Sequence, residues 1–112
     1  MQLIEWDDFE RVEIRAGTIV NVDAFPEARR PAYILSVDFG AEVGVLRSSA
    51  RITELYGRDE LKGQQVLAVV NFPARQIGPV RSECLVTGLY RGDGTVALAV
   101  PDKPVPDGAR LA

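Results

Sequence analysis

The hydrophobic pattern is strongest in two runs near the middle of the chain. Gln65–Val70 contains VLAVV, continuously apolar in the manner of a strand buried on both faces. Glu83–Gly88 is a second strand-like run, continuing to about Tyr90. Between them lies a long connection, Phe72 to Ser82, opened by Asn71 and Pro73, which break the first run. Connections of that length in a small domain are functional or disordered, and a solvated, twisted hairpin is an equally good reading of this one. Upstream, Val12–Val22 alternates. Val12, Ile14, Ala16, Val20 and Val22 share one face, Glu13, Arg15 and Asn21 the other, and Gly17 marks a bulge or a close backbone approach. Ala32–Phe39 and Val43–Arg47 form a hairpin about Gly40–Glu42. Ile52, Leu55 and Tyr56 then fall at helical spacing, with Ser48 or Ser49 as the cap, Gly57 as the stop and Asp59–Lys62 as a further turn. After Tyr90, RGDGT predicts a hairpin turn into the apolar strand Val96–Val100. At the N-terminus, Asp7 or Asp8 caps a helical turn through Phe9–Val12, and Trp6 and Phe9 pack on the domain or on a partner subunit. The tail from Pro101 is held extended by Pro104 and Pro106, and Leu111 docks.

This order predicts a mainly β chain: a five-stranded OB-fold barrel with a short helix between strands 3 and 4, plus N- and C-terminal extensions, in a single domain over residues 1–112. In that architecture the outer face of strands 2 and 3 and the loops after strands 1 and 4 bind oligonucleotides. Those loops are Asp23–Pro31 and Asn71–Ser82. They hold Arg29, Arg30, Arg75 and Arg81, and Arg47 closes the third strand. Guanidiniums grip phosphate bidentately and stack on bases, so these arginines are candidates for an anionic ligand. An overall compositional bias toward arginine explains them equally well. Aromatic side chains for base stacking are few, with Phe72 in the loop and Phe25 or Tyr33 nearby. That favours a folded RNA read by shape and backbone over an unstructured strand.

Charge and composition add limits. The formal net charge of −3 is unlike that of a nucleic-acid binder. It is, however, concentrated in residues 1–13, where Glu5, Asp7, Asp8, Glu10 and Glu13 face Arg11 alone, so the remainder is close to neutral. With 46% apolar and 26% charged residues the chain is an ordinary globular one, and no stretch approaches the length of a membrane span, so no membrane insertion is expected. The acidic N-terminus lacks the basic flank of a signal peptide, and Cys84 is alone, so a cytoplasmic location is expected. There is no histidine, no thiolate cluster, and no P-loop or Rossmann glycine pattern, so no catalytic residue, metal or cofactor is assigned and the chain is not read as an enzyme. Glu83 beside Arg81 is read as a structural ion pair.

The segments EIRAGTIVNVDAFPEARRPAYILSVDFG, RSSARIT and AVVNFPARQIGPVRSECLVTG resemble the CsaA family, as do the opening DDFERVEIRAGTIV and the closing PDKPVPDGARL. These are small bacterial chaperones built on a tRNA-binding-type OB domain that also occurs in methionyl-tRNA synthetase C-terminal regions and in the endothelial-monocyte-activating polypeptide II family. The resemblance covers essentially the whole chain. It implies a homodimer whose interface uses the N-terminal segment, residues 1–11, and the C-terminal extension, residues 91–112. It implies a chaperone for unfolded or presecretory proteins in support of protein export, and leaves tRNA binding open as a second activity. Asn71, Arg75, Arg81 and Ser82 match polar positions of the tRNA-binding signature, and Phe72 and Pro73 stand where the CsaA-type motif has NFP. Phe72, Ile77 and Val80 are candidates for the peptide site as apolar residues in a loop, although anchoring the loop to the barrel is the favoured role for them. The alternative to the chaperone is a tRNA-binding module acting as an RNA-binding or tRNA-delivery factor.

Overall fold

The computed structural model describes all of residues 1–112. In chain order the elements are α1 (Trp6–Glu10), β1 (Ile14–Ala24), β2 (Tyr33–Asp38), β3 (Val45–Ala50), α2 (Arg58–Leu61), β4 (Gln65–Val69), β5 (Arg75–Ile77), β6 (Val80–Ser82), β7 (Leu85–Val86), β8 (Gly88–Tyr90) and β9 (Val96–Leu98). Five of them, in the order β3-β2-β1-β4-β7, form one antiparallel sheet that curls into a nearly closed barrel. The seam is sealed between β3 and the chain leading into β7. The Glu83 and Cys84 amides donate to the Arg47 carbonyl, and the Arg47 and Ser49 amides donate to the Glu83 carboxylate and the Ser82 hydroxyl. The chain is thus the OB-type barrel expected, with α2 between β3 and β4.

Long β1 serves both halves of the barrel, pairing with β4 through residues 14–18 and with β2 through residues 18–24. A bulge at Val20 separates the two registers. It also changes which residues face inward. Before the bulge the core receives Gly17 and Ile19, and after it Val22; Val20 is left exposed and Ala16 is buried on the outer side. The single apolar face of Ala16, Val20 and Val22 expected from alternation is therefore corrected: one extra residue shifts the phase of a period-2 pattern, and Ile19 carries the burial. Gly17 is a close-approach glycine. A Cβ there would lie 2.7 Å from both Phe39 and Val37 in the core.

Two further corrections concern the middle of the chain. β3 runs on to Ala50, so Ser48 and Ser49 are strand residues and cap nothing. Ile52, Leu55 and Tyr56 lie in the irregular segment after β3, with Leu55 in its turn, and the helix is the short Arg58–Leu61, which Gly57 precedes rather than ends. Helical spacing at 52–56 is satisfied without a helix because Tyr56 is held twice. Its carbonyl accepts from the Tyr33 hydroxyl, and its own hydroxyl accepts from the Leu98 amide. The RGDGT segment does form the turn of the β8–β9 hairpin, where Asp93 accepts from the Thr95 amide and hydroxyl.

The tail is a structural part of the barrel. Where β2 leaves β1, residues 108–111 take its place: the Ala16 and Leu111 amides donate to Ala109 and Ile14, and the Gly108 amide to Ala16. Thr18 and Gln65 hold Asp107 and Val105 from the outer face. Arg15 links this tail to the barrel end, donating to Glu13, Glu42 and the Gly108 carbonyl; both carboxylates raise its already high pKa.

Cys84 is buried behind the seam, which pushes its thiol up from 9.0 to about 12, with the charge of Glu83 adding to the effect. An unfolded thiol ionises near 9.0, whereas the folded one keeps its proton to about 12, so the fold loses stability as pH climbs through that window. Thiol labelling at pH 8 is expected to proceed only as fast as the chain unfolds. Prompt labelling of the native protein would place Cys84 at the surface instead.

Candidate nucleic-acid interface

The hairpin β5–β6 fills most of the connection between β4 and β7, and its turn is made by Gly78 and Pro79. It does not project into solvent. Val80 and Ile77 pack on Phe25, Ala32 and Ile34, forming a small second core with the β1–β2 loop. The hairpin therefore lies across the outer face of β2, covering Ile34. This is the anchoring role for Ile77 and Val80; Phe72 alone of the three apolar candidates remains half exposed, at 50%.

Beside this second core opens a groove of about 840 Å³. One lip is the β1–β2 loop, with Ala28, Arg29 and Arg30. The end of β3 contributes Ser49 and Arg51, the hairpin contributes Arg75 and Ile77, and the far wall is built from Val86, Gly88, Tyr90 and Val96. Alternation explains the membership. In β3 the side chains of Leu46, Ser48 and Ala50 point inward and those of Arg47 and Ser49 outward, so Arg47 continues the face of Ser49 just beyond the groove. In the hairpin, Arg75 pairs with Ser82 and Gln76 with Arg81, which places Arg75 and Arg81 on opposite faces.

The structure thus brings together Arg29, Arg30 and Arg75 of the arginines singled out from the sequence, with Arg47 adjacent. Arg81 faces away. Asn71 is engaged elsewhere: its amide donates to the Arg11 carbonyl at 2.7 Å and accepts from the Glu13 amide at 2.9 Å, tying the end of β4 to the start of β1. The Ser82 hydroxyl serves the seam, as does Glu83, whose expected partner Arg81 is replaced by the Arg47 amide. Two groove residues, Arg51 and Tyr90, escaped the sequence reading. Arg51 follows Ser49 by two positions and shares its outward face, a signal hidden while Ser48–Tyr56 is read as helix.

The electrostatics of the groove are one-sided. Ion pairs in the chain involve Arg11, Arg15 and Lys103, and Arg110 donates to the Glu10 carbonyl. The guanidiniums of Arg29, Arg30, Arg51 and Arg75 have no partner within the chain. Four unmatched cations around an apolar floor form a site for an anion, and phosphate oxygens fit the guanidinium fork. No group of three or more carboxylate or thiol side chains is placed to hold a metal ion.

A second, apolar groove of about 440 Å³ lies between α1 and the tail. It is lined by Trp6, Phe9, Val12, Ile14 and Leu111. Leu3, Ile4 and Trp6 are largely exposed beside it, Trp6 at 81%. No helix of the chain is long and apolar enough to cross a membrane.

Comparison with known proteins places this geometry. The model of the tRNA binding domain family matches residues 14–110. The methionine–tRNA ligase of Thermococcus kodakarensis is 33% identical over 111 residues, which are 99% of this chain and 14% of that enzyme. The chain accordingly spans a small part of the ligases it matches. Two crystal structures superpose over nearly all of both chains. The CsaA chaperone protein of Picrophilus torridus has a TM-score of 0.92 at 45% identity, covering 98% of this chain and 100% of the other. Chaperone CsaA of Bacillus anthracis has a TM-score of 0.93 at 40% identity, covering 99% and 100%.

Proposed function

This chain belongs to the tRNA binding domain family, in its CsaA branch, and on that premise we propose that it is a non-catalytic binding protein that takes tRNA through the arginine groove. The observation that carries this reading is the set of four unpartnered guanidiniums, Arg29, Arg30, Arg51 and Arg75, around one groove. Arg47 extends the surface along β3. Asn71 and Ser82 act at one remove, by tying the β4 end to β1 and closing the seam beside the groove, and Arg81 lies on the opposite face of the hairpin.

A second activity, as a homodimeric chaperone for unfolded or presecretory polypeptides in support of protein export, is supported by a different observation. The segment 1–9 leaves Leu3, Ile4, Trp6 and half of Phe9 uncovered beside the apolar groove, more than a monomer in water gains from exposing. A dimer interface there would use residues 1–11 and the tail end of 91–112, and it would leave the arginine groove free. Phe72, half exposed in the loop after β4, is the one of the three apolar candidates left free to touch a polypeptide, while Ile77 and Val80 anchor the hairpin. The setting for both activities is the cytoplasm.

Binding of labelled total tRNA and of a labelled unfolded presecretory protein, each measured across a fourfold rise in salt, separates the two. Four phosphate contacts give a slope of log affinity on log salt of about −3, so tRNA binding falls about 50-fold. Polypeptide binding by apolar burial holds or strengthens over the same range. A flat salt response for tRNA would remove the groove as its site. A monomer at micromolar concentration in sedimentation would remove the dimer.

A further inference from the structure

The arginine groove contains something that phosphate binding does not need. Its far wall is Tyr90, 84% exposed, with a hydroxyl that has no partner in the chain. Between Tyr90 and the arginines the lining is apolar, with Ala32, Ile52 and Val86 among its residues. We propose that the groove takes an unpaired nucleotide of an RNA, its base stacked on Tyr90 and its flanking phosphates held by Arg29, Arg30, Arg51 and Arg75. This rests on the reading of the groove as an RNA site and deepens it, because it specifies a nucleotide outside a duplex.

The three aromatics nominated from the sequence do not supply this platform. Phe25 is buried in the second core, the Tyr33 hydroxyl is bound to Tyr56, and Phe72 lies outside the groove. Tyr90 comes from the β8–β9 hairpin, which lies outside the five-stranded barrel. That hairpin is fixed at its base: the Ala99 amide donates to Thr87, and the Leu67 amide of β4 donates to Ala99. Tyr90 is therefore presented from a ladder position, and a tyrosine has few rotamers to lose when a base lands on it. Alternation along β8 sends Leu89 to the opposite face, so the hairpin offers its aromatic side to the groove and its aliphatic side elsewhere. An acidic peptide matches the four guanidiniums but gives no role to an exposed ring over an apolar floor. A paired duplex matches the charges but hides its bases from that ring. A nucleotide with a free base face uses both.

The test compares a short single-stranded oligoribonucleotide with a blunt duplex of the same sequence, by fluorescence anisotropy, on the wild type and on Tyr90→Ala, Tyr90→Phe and Arg51→Gln. An acidic peptide serves as competitor. Tyr90→Ala is expected to weaken single-strand binding about tenfold, leaving duplex affinity and the salt slope unchanged. Tyr90→Phe retains binding because the ring is kept. Arg51→Gln weakens both RNAs and lowers the slope by about one contact. If Tyr90→Ala is silent, or weakens single strand and duplex equally, while Arg51→Gln still weakens both, stacking is overturned and the RNA site survives. If the wild type binds neither RNA but takes the acidic peptide, both readings fall. Tyr90 is exposed, so folding of the variants is not at stake.

Discussion

Changing Arg29, Arg30, Arg51 and Arg75 together to glutamine is expected to lower tRNA affinity by about 100-fold or more at physiological salt and to flatten the salt slope by about 3. Glutamine keeps length and hydrogen-bonding capacity and removes only the charge. None of the four side chains is bonded within the chain, so the fold loses nothing with them. The informative partner is Arg81→Gln. Arg81 is close to Arg75 in sequence and in the same hairpin, but the register of β5 against β6 turns it to the other face. The single change Arg75→Gln is expected to cost about one phosphate contact, and Arg81→Gln less than twofold. Equal losses for the two would put the ligand on the other face of the hairpin and remove the groove from the account. Arg47→Gln should fall between them, since Arg47 lies on the groove's face of β3 but beyond its rim.

The largest effect on stability is expected from Gly108→Val. Gly108 has φ +90, which a β-branched residue strongly resists, and a Cβ there would stand 2.5 Å from the Phe39 carbonyl oxygen. That obstacle is backbone, so it cannot swing aside as the side chains around Gly17 can. The tail would have to leave, giving up the three backbone hydrogen bonds that join residues 108–111 to β1. A loss of about 3–4 kcal/mol follows from strain and overpacking together, or a fall in Tm on the order of 10–20 °C for a domain of this size. Gly108→Asn separates the causes. Asparagine tolerates positive φ but keeps the clash, so it should recover only the smaller share. A Tm unchanged in Gly108→Val would mean that the tail is not seated on β1 in solution.

The barrel was legible because its strands announce themselves locally. VLAVV has no polar residue to be anything but a doubly buried strand, and the Ala32–Phe39 hairpin carries its turn in Gly40–Glu42. The errors fall where two local signals are the same in sequence. Ser48 and Ser49 suit a helix cap and a strand that closes a seam, and only the partner at Ser82, thirty-three residues away, decides between them. Ile19 and Val20 are equally apolar, so nothing in the chain says on which side of a bulge the core lies. The site was legible as a set of loops but not as a set of side chains. Whether Arg75 or Arg81 faces the groove depends on the parity of a short hairpin, and Tyr90 enters only because β8 leaves the barrel sheet to pair with β9.

The pairing of residues 108–111 with the start of β1 places the two ends of the folded chain side by side: Arg110 reaches the Glu10 carbonyl, and Trp6 and Leu111 line one groove. A polypeptide joined at either end would depart from the same corner of the barrel without crossing the arginine groove. The fold is therefore portable. Chain ends that meet at one corner suit attachment to a neighbouring domain on either side, with the apolar corner as the surface such a neighbour would cover.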